Sequence, residues 1–326
     1  MLRTKVISAV LLVLALVGLV TSAPSARAAP YRWPQTISAR SASLYPEGVA
    51  WDPSRQAFLV SSIGQGTVSV VWPDGTVRPL IADPRMVSTF GVHVDAPRGR
   101  VLVTYADMGM AQRSTPAATF SSSGVGIFDL ATGRLLHLVD LDIGPGKHAA
   151  NDLAIDADGA AYVTDPASNT IYRVTPDGRG STLVTDARLA SPSIGMNGIV
   201  WNPRGFLLTV RYDTGTLLRI PVRHPHQIDE VALAHPLVGG DGLALRPDGA
   251  LVAVTNKLSA PGVEAVTVLR PNSNWSAAKV VQSTAPWPVA GPTTIALSPH
   301  GTYVLSGRID VLITGGHSDE FNLRRL

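Results

Sequence analysis

One phrase occurs six times in this chain, and a repeat of that length restricts the fold more than any other feature. Each copy opens at a short polar or glycine-containing turn and enters an alternating apolar strand. It then turns at a step such as Asp-Pro or Asp-Gly and continues as a second apolar strand. The copies begin Pro46-Glu47-Gly48, Phe90-Gly91-Val92, Asn151-Asp152-Leu153, Asn197-Gly198-Ile199, Asp241-Gly242-Leu243 and Thr293-Thr294-Ile295. Positions 47, 90, 151, 197, 241 and 293 therefore form one column, with spacings of 43, 61, 46, 44 and 52 residues. A third strand with its own tight turn follows, as at Pro73-Asp74-Gly75 and Pro176-Asp177-Gly178, where glycine supplies the positive φ a hairpin needs.

Four short antiparallel strands per repeat predict an all-β chain folded as a six-bladed β-propeller. A sandwich or a β-solenoid fits a period in the forties less well. The sixth repeat lacks a fourth strand after residues 321–326, so the strand at residues 36–40 is expected to close the ring and hide its edges. Residues 108–123 show no strand pattern and are expected to form a loop over one face.

The first residues read differently. Met-Leu-Arg-Thr-Lys precedes an apolar run at 6–20, and Ala26-Arg27-Ala28 supplies an Ala-x-Ala cleavage site. This is the layout of a secretory signal peptide over residues 1–28, leaving a propeller domain over 29–326. A retained membrane anchor is the alternative, but the run is short for a span. The mature protein is expected to be secreted and free of the membrane. Its lack of cysteine removes disulfides, thiolate nucleophiles and Cys-based zinc sites. Loss of Arg3, Lys5 and Arg27 with the leader leaves 24 basic against 24 acidic residues, which gives no support to nucleic acid as a partner. A closed propeller needs no partner to cover its edges, so a monomer is expected.

In a propeller the first strand of each blade runs beside the axis, so the column becomes a ring at one mouth. Its occupants are Glu47, Phe90, Asn151, Asn197, Asp241 and Thr293, four of them hard-oxygen side chains. Two carboxylates and two amides converging on an axis suit one hard divalent cation with positions open to water or substrate. Calcium fits best, with magnesium, manganese or zinc as alternatives. Asn and Asp before Gly also occur as ordinary turn residues, which does not account for Glu47. Second-strand ends return to the same pole, making Tyr105, Asp107, Asp165, Arg211, Tyr212, Asn256, Lys257 and Arg308 candidates for lining the pocket. His148 is a further candidate for contact with substrate, and His93 is expected inside a blade. Phe90 either offers a substrate an apolar face or packs in the core.

Pro46-Glu47-Gly48, Asn151-Asp152, Asn197-Gly198 and Asp241-Gly242, in this order, resemble the senescence-marker-protein and gluconolactonase (regucalcin-like) family of calcium-dependent lactonase and phosphotriesterase-type propellers. The resemblance spans essentially the mature chain. It implies metal binding by Glu47, Asn197 and Asp241, contact of Asn151 with metal or substrate, and Asp241 doubling as proton acceptor. Asp152 is the rival general base. The expected activity is hydrolysis of a lactone or related ester by metal-assisted attack of water. Two departures stand out. Sugar-lactone members carry an Arg where this chain has Ala149, and the related paraoxonases carry a histidine where Phe90 stands. The alternatives are a non-hydrolytic metal-binding propeller, either a ligand-binding module or an enzyme of the strictosidine-synthase type, and an interaction scaffold.

Overall fold

The computed structural model describes residues 32–326. The expected signal peptide at 1–28 lies outside them. Six four-stranded antiparallel sheets follow one another around an axis, making a six-bladed β-propeller. Their inner strands are Val49–Asp52, Ser88–Asp95, Leu153–Ile155, Met196–Asn202, Gly240–Leu245 and Pro292–Ser298. Five sheets are built from consecutive strands. The sixth takes its outer strand from the N-terminal side of the chain, where Thr36–Arg40 pairs with Glu320–Arg325 in the register Thr36↔Arg324 to Arg40↔Glu320. Among the described residues no helix is long and apolar enough to cross a membrane.

Alternation along each strand sends side chains to both faces of its sheet, so each blade packs against two neighbours. The outcome is a ring of cores. Val92, Val101 and Val103 of the second blade meet Leu59, Val68 and Val70 of the first. Equivalent clusters occupy the other five junctions. The junction between the sixth and first blades is aromatic, with Trp33 stacked on His300 at 3.9 Å and Trp51 edge-on to Phe58 at 5.2 Å. The tight turns behave as their residues require. Gly75 sits at φ 83°, and a Cβ there would lie 2.4 Å from the Ser38 carbonyl oxygen.

The stretch between Asp107 and Ser123 contains no strand. It is fastened to the first blade by Arg113, whose guanidinium donates to the carbonyls of Pro84, Gln65 and Met86 at 3.1, 3.1 and 2.6 Å.

Candidate functional site

The six column positions form a continuous ring of neighbours at one pole. Gly91 N–H donates to the Asn151 carbonyl at 2.8 Å. The Thr164 hydroxyl donates to the Asn197 carbonyl at 2.6 Å. Asn256 Nδ2 reaches the Pro292 carbonyl at 2.9 Å, and the Thr293 hydroxyl closes the circle on the Glu47 carbonyl at 2.8 Å. At two of the places where one inner strand passes the next, only glycine fits. A Cβ on Gly48 would lie 2.1 Å from the Phe90 carbonyl oxygen, and one on Gly198 2.1 Å from that of Asp241.

These bonds hold the backbone and leave the column side chains free to face the axis. Asn151 Oδ1, Asn197 Oδ1 and Asp241 Oδ1 are all enclosed and have no hydrogen-bond partner. An orphaned buried acceptor costs roughly 1–3 kcal/mol, so three on neighbouring blades mark a place for a hydrogen-bond donor or a cation. Asp241 shows how its free oxygen is chosen. Its Oδ2 accepts from Asn256 Nδ2 at 2.6 Å, which leaves Oδ1 as the enclosed oxygen without a partner. The Asn256 amide is itself fixed, because its Oδ1 accepts from the Tyr212 hydroxyl at 2.6 Å and from Leu258 N–H at 3.2 Å. Tyr212 and Asn256, both buried, thus stand behind the acid as its supports.

Burial first, then the charges of Asp241 and Asp152, push the Glu47 carboxyl well above the usual glutamate range. Asp241 is likewise raised, by burial against the opposing hydrogen bond from Asn256 and with a further push from Asp152. Both shifts express one fact: acids are gathered in a buried place. A bound divalent cation would reverse this, since it favours the ionised form of every oxygen it touches. Among the described residues no three His, Asp or Glu side chains cluster closely enough to hold an ion on their own. A cation held here would need the amide oxygens of Asn151 and Asn197 besides the two carboxylates.

Asp152, one residue past the column, lies on the far side of the ring. Its Oδ1 accepts its neighbour Leu153 N–H at 2.8 Å, its Oδ2 accepts Ile199 N–H of the next blade at 3.3 Å, and His93 Nε2 stands 3.6 Å from Oδ1. Both residues break the repeat. Asp152 occupies the place of Gly48, Gly91, Gly198 and Gly242, while His93 occupies that of Ala50, Ala154, Val200, Ala244 and Ala296. Reading every column for its exceptions, rather than one column for its oxygens, finds this pair in the sequence.

Other expected pocket residues are distributed differently. His148 is 2% exposed and lies in the blade, with Nδ1 2.8 Å from the Tyr172 hydroxyl and 3.1 Å from Asp165 Oδ2. Asp165 also accepts from Ala149 N–H, so this network anchors the chain leading into Asn151. Tyr105 packs in the core between the first two blades, where burial raises its hydroxyl to about 12. Arg211 is paired with Asp213 at 2.7 Å, and Arg308 Nε lies 3.3 Å from Asp310. Lys257 is exposed. Asp107 Oδ1 accepts Gly109 N–H and the Ser114 hydroxyl, while its Oδ2 is enclosed.

The fold and its oxygen-lined axial mouth define a six-bladed propeller of the gluconolactonase type. The chain belongs to the SMP-30/gluconolactonase/LRE-like family, whose model matches residues 45–303. No curated protein sequence matches it. Solved structures share the architecture at low identity. The major Malassezia sympodialis allergen Mala s 1 is similar with a TM-score of 0.70 and 18% identity, over 89% of this chain and 95% of that one. A gluconolactonase from Xanthomonas campestris is similar with a TM-score of 0.60 and 17% identity, over 89% and 88%. Virginiamycin B lyase from Staphylococcus aureus gives 0.56 and 13%, over 89% and 99%.

Proposed function

We propose that this chain is an exported, calcium-dependent hydrolase of a lactone or related ester, working at the axial mouth as a monomer. The observation that carries the reading is the trio of enclosed, unpartnered oxygens on Asn151, Asn197 and Asp241, beside the buried Glu47. These four side chains would hold the ion. When bound, such a cation polarises a carbonyl and stabilises the oxyanion formed on it.

The remaining work falls to the protein's own groups. The Asp241 carboxylate accepts the proton of the attacking water, with Asn256 and Tyr212 fixing its plane from behind. Asp152 is the alternative base, but both its oxygens already accept backbone N–H groups, which favours Asp241. The negative charge of Asp152 instead strengthens the pull on a cation from beneath.

The test is metal analysis of the purified mature protein together with a panel of lactones and aryl esters. Calcium bound in a one-to-one ratio and hydrolysis abolished by chelation support the reading; a protein that binds no divalent ion under any loading overturns it. Ala149 favours a second reading, a metal-binding propeller without turnover, because it contributes no polar group where the resemblance would place an arginine.

A further inference from the structure

A seventh apolar cluster belongs to no blade junction and sits at the pole of the ligand column. Its placement follows from topology. Phe90 is a column residue itself, and Tyr45 and Ala149 stand two residues before Glu47 and Asn151. Ile63 and Ala106 follow or end second strands, which run antiparallel to the inner strands and so finish at the mouth. Half-buried side chains complete it from three directions: Met108, Met110 and Phe120 from the long loop, Leu258 from the fifth blade, and Leu312 from the short helix Ile309–Ile313. Lys147 holds its ammonium 4.9 Å from the Phe120 ring centroid, which fixes one side of this wall.

Several of the polar groups that flank the column at this pole are engaged with one another. Asn256 uses its amide on Tyr212, Leu258, Asp241 and Pro292. Arg211 faces Asp213, and Asp165 faces His148, Ala149 and Tyr172. A polyhydroxylated ligand would need several such donors and acceptors free, and without them each hydroxyl brought into the site loses its water uncompensated. An apolar group loses nothing and gains burial.

We propose that this cluster is the recognition wall of the site and that the substrate carries an alkyl or aryl group beside its lactone or ester carbonyl, in place of a sugar's hydroxyls. The inference rests on the hydrolase reading for the carbonyl and on the apolar wall for the group beside it.

The experiment uses δ-lactams, which keep the ring and carbonyl but resist hydrolysis, titrated calorimetrically into the calcium-loaded protein. The series runs from unsubstituted δ-valerolactam to its 6-heptyl derivative, with gluconolactam as the polyhydroxylated member. Affinity should rise by about threefold per added methylene over the first carbons. Phe120→Ser and Met110→Asn, both in a half-buried loop, should each flatten that gradient while calcium affinity stays within about twofold of the unsubstituted protein, as expected for side chains that do not touch the ion. Gluconolactam binding as tightly as the heptyl lactam, a flat series, or a gradient untouched by both substitutions overturns the proposal. A clear gradient in a protein that hydrolyses none of the parent lactones supports it and overturns the hydrolase reading alone.

Discussion

The two ends of the central axis are lined by the same six strands, yet they have opposite characters. At one end the strands begin with Glu47, Asn151, Asn197 and Asp241, enclosed and under-satisfied beneath an apolar cluster. At the other, they widen into a cavity of about 430 Å³ lined by Trp51, Trp201, Ile155, Leu243 and Leu297, with His93 as its polar member. The repeat explains how both arise. Positions further along each inner strand face neighbouring blades and must be apolar for the ring to pack. The first position lies outside the apolar clusters of the blade junctions, so it is free to carry chemistry. Stability and function are thus separated by about three residues along one strand.

The largest effect expected from breaking this contrast follows from removing a donor. Glu47→Gln or Asp241→Asn should abolish stoichiometric calcium binding, measured by metal analysis, and lower lactone hydrolysis by about 100-fold or more. A variant that retains both would move the site elsewhere.

The next effect is a pH dependence of the metal-free fold. Glu47 and Asp241 have folded pKa values raised above their unfolded ones, so the folded chain holds protons that the unfolded chain has already released. The contribution of these two acids to stability is therefore fully present below the unfolded values of 4.5 and 3.8 and is lost as pH rises through the raised ones. Melting temperatures in chelator should fall across this range, and added calcium should remove the slope. A metal-free protein whose melting temperature rises from pH 5 to 8 contradicts this arrangement of the acids.

A smaller change is expected behind the site. Asn256→Leu removes the donor that orients Asp241 and should weaken calcium binding by about 10–100-fold, read by isothermal titration. Tyr212→Phe, which leaves the Asn256–Asp241 contact in place, should cost less than Asn256→Leu.

The smallest effect belongs to the opposite pole. His93→Ala restores the small residue found in four of the other repeats and should change stability by no more than about 0.5 kcal/mol. Calcium affinity should stay within about threefold by the same reasoning for sites without shared ligands. A marked loss of activity would mean that the two ends communicate through Asp152.

How much of this was legible in the sequence depends on what each residue owes to the repeat. The six blades and their turns were readable because every copy states the same pattern, and Gly75 and Gly178 adopt the positive φ their turns demand. The column was readable because its oxygens interrupt an apolar rhythm at a fixed place. The supports were readable as residues of the same pole, but not in their role behind Asp241. Asn256 and Tyr212 come from different blades, and their joining to Asp241 depends on how one sheet passes another. His148 adds what spacing alone does not tell: three residues from Asn151 in the chain, it is buried with Nδ1 against Tyr172 and Asp165 and with Nε2 3.3 Å from the Gly144 carbonyl.

One further property follows from the sheet shared by Thr36–Arg40 and Glu320–Arg325. The first strand in chain order finds its partner in the last, so this blade has no local route to assembly. It must wait for nearly three hundred intervening residues to come into place, which makes its pairing the most non-local event in folding and a candidate for the slowest. A clip at either end of the propeller would unseat the same blade, leaving the junction around Trp33, Trp51 and His300 as the seam where the ring first opens.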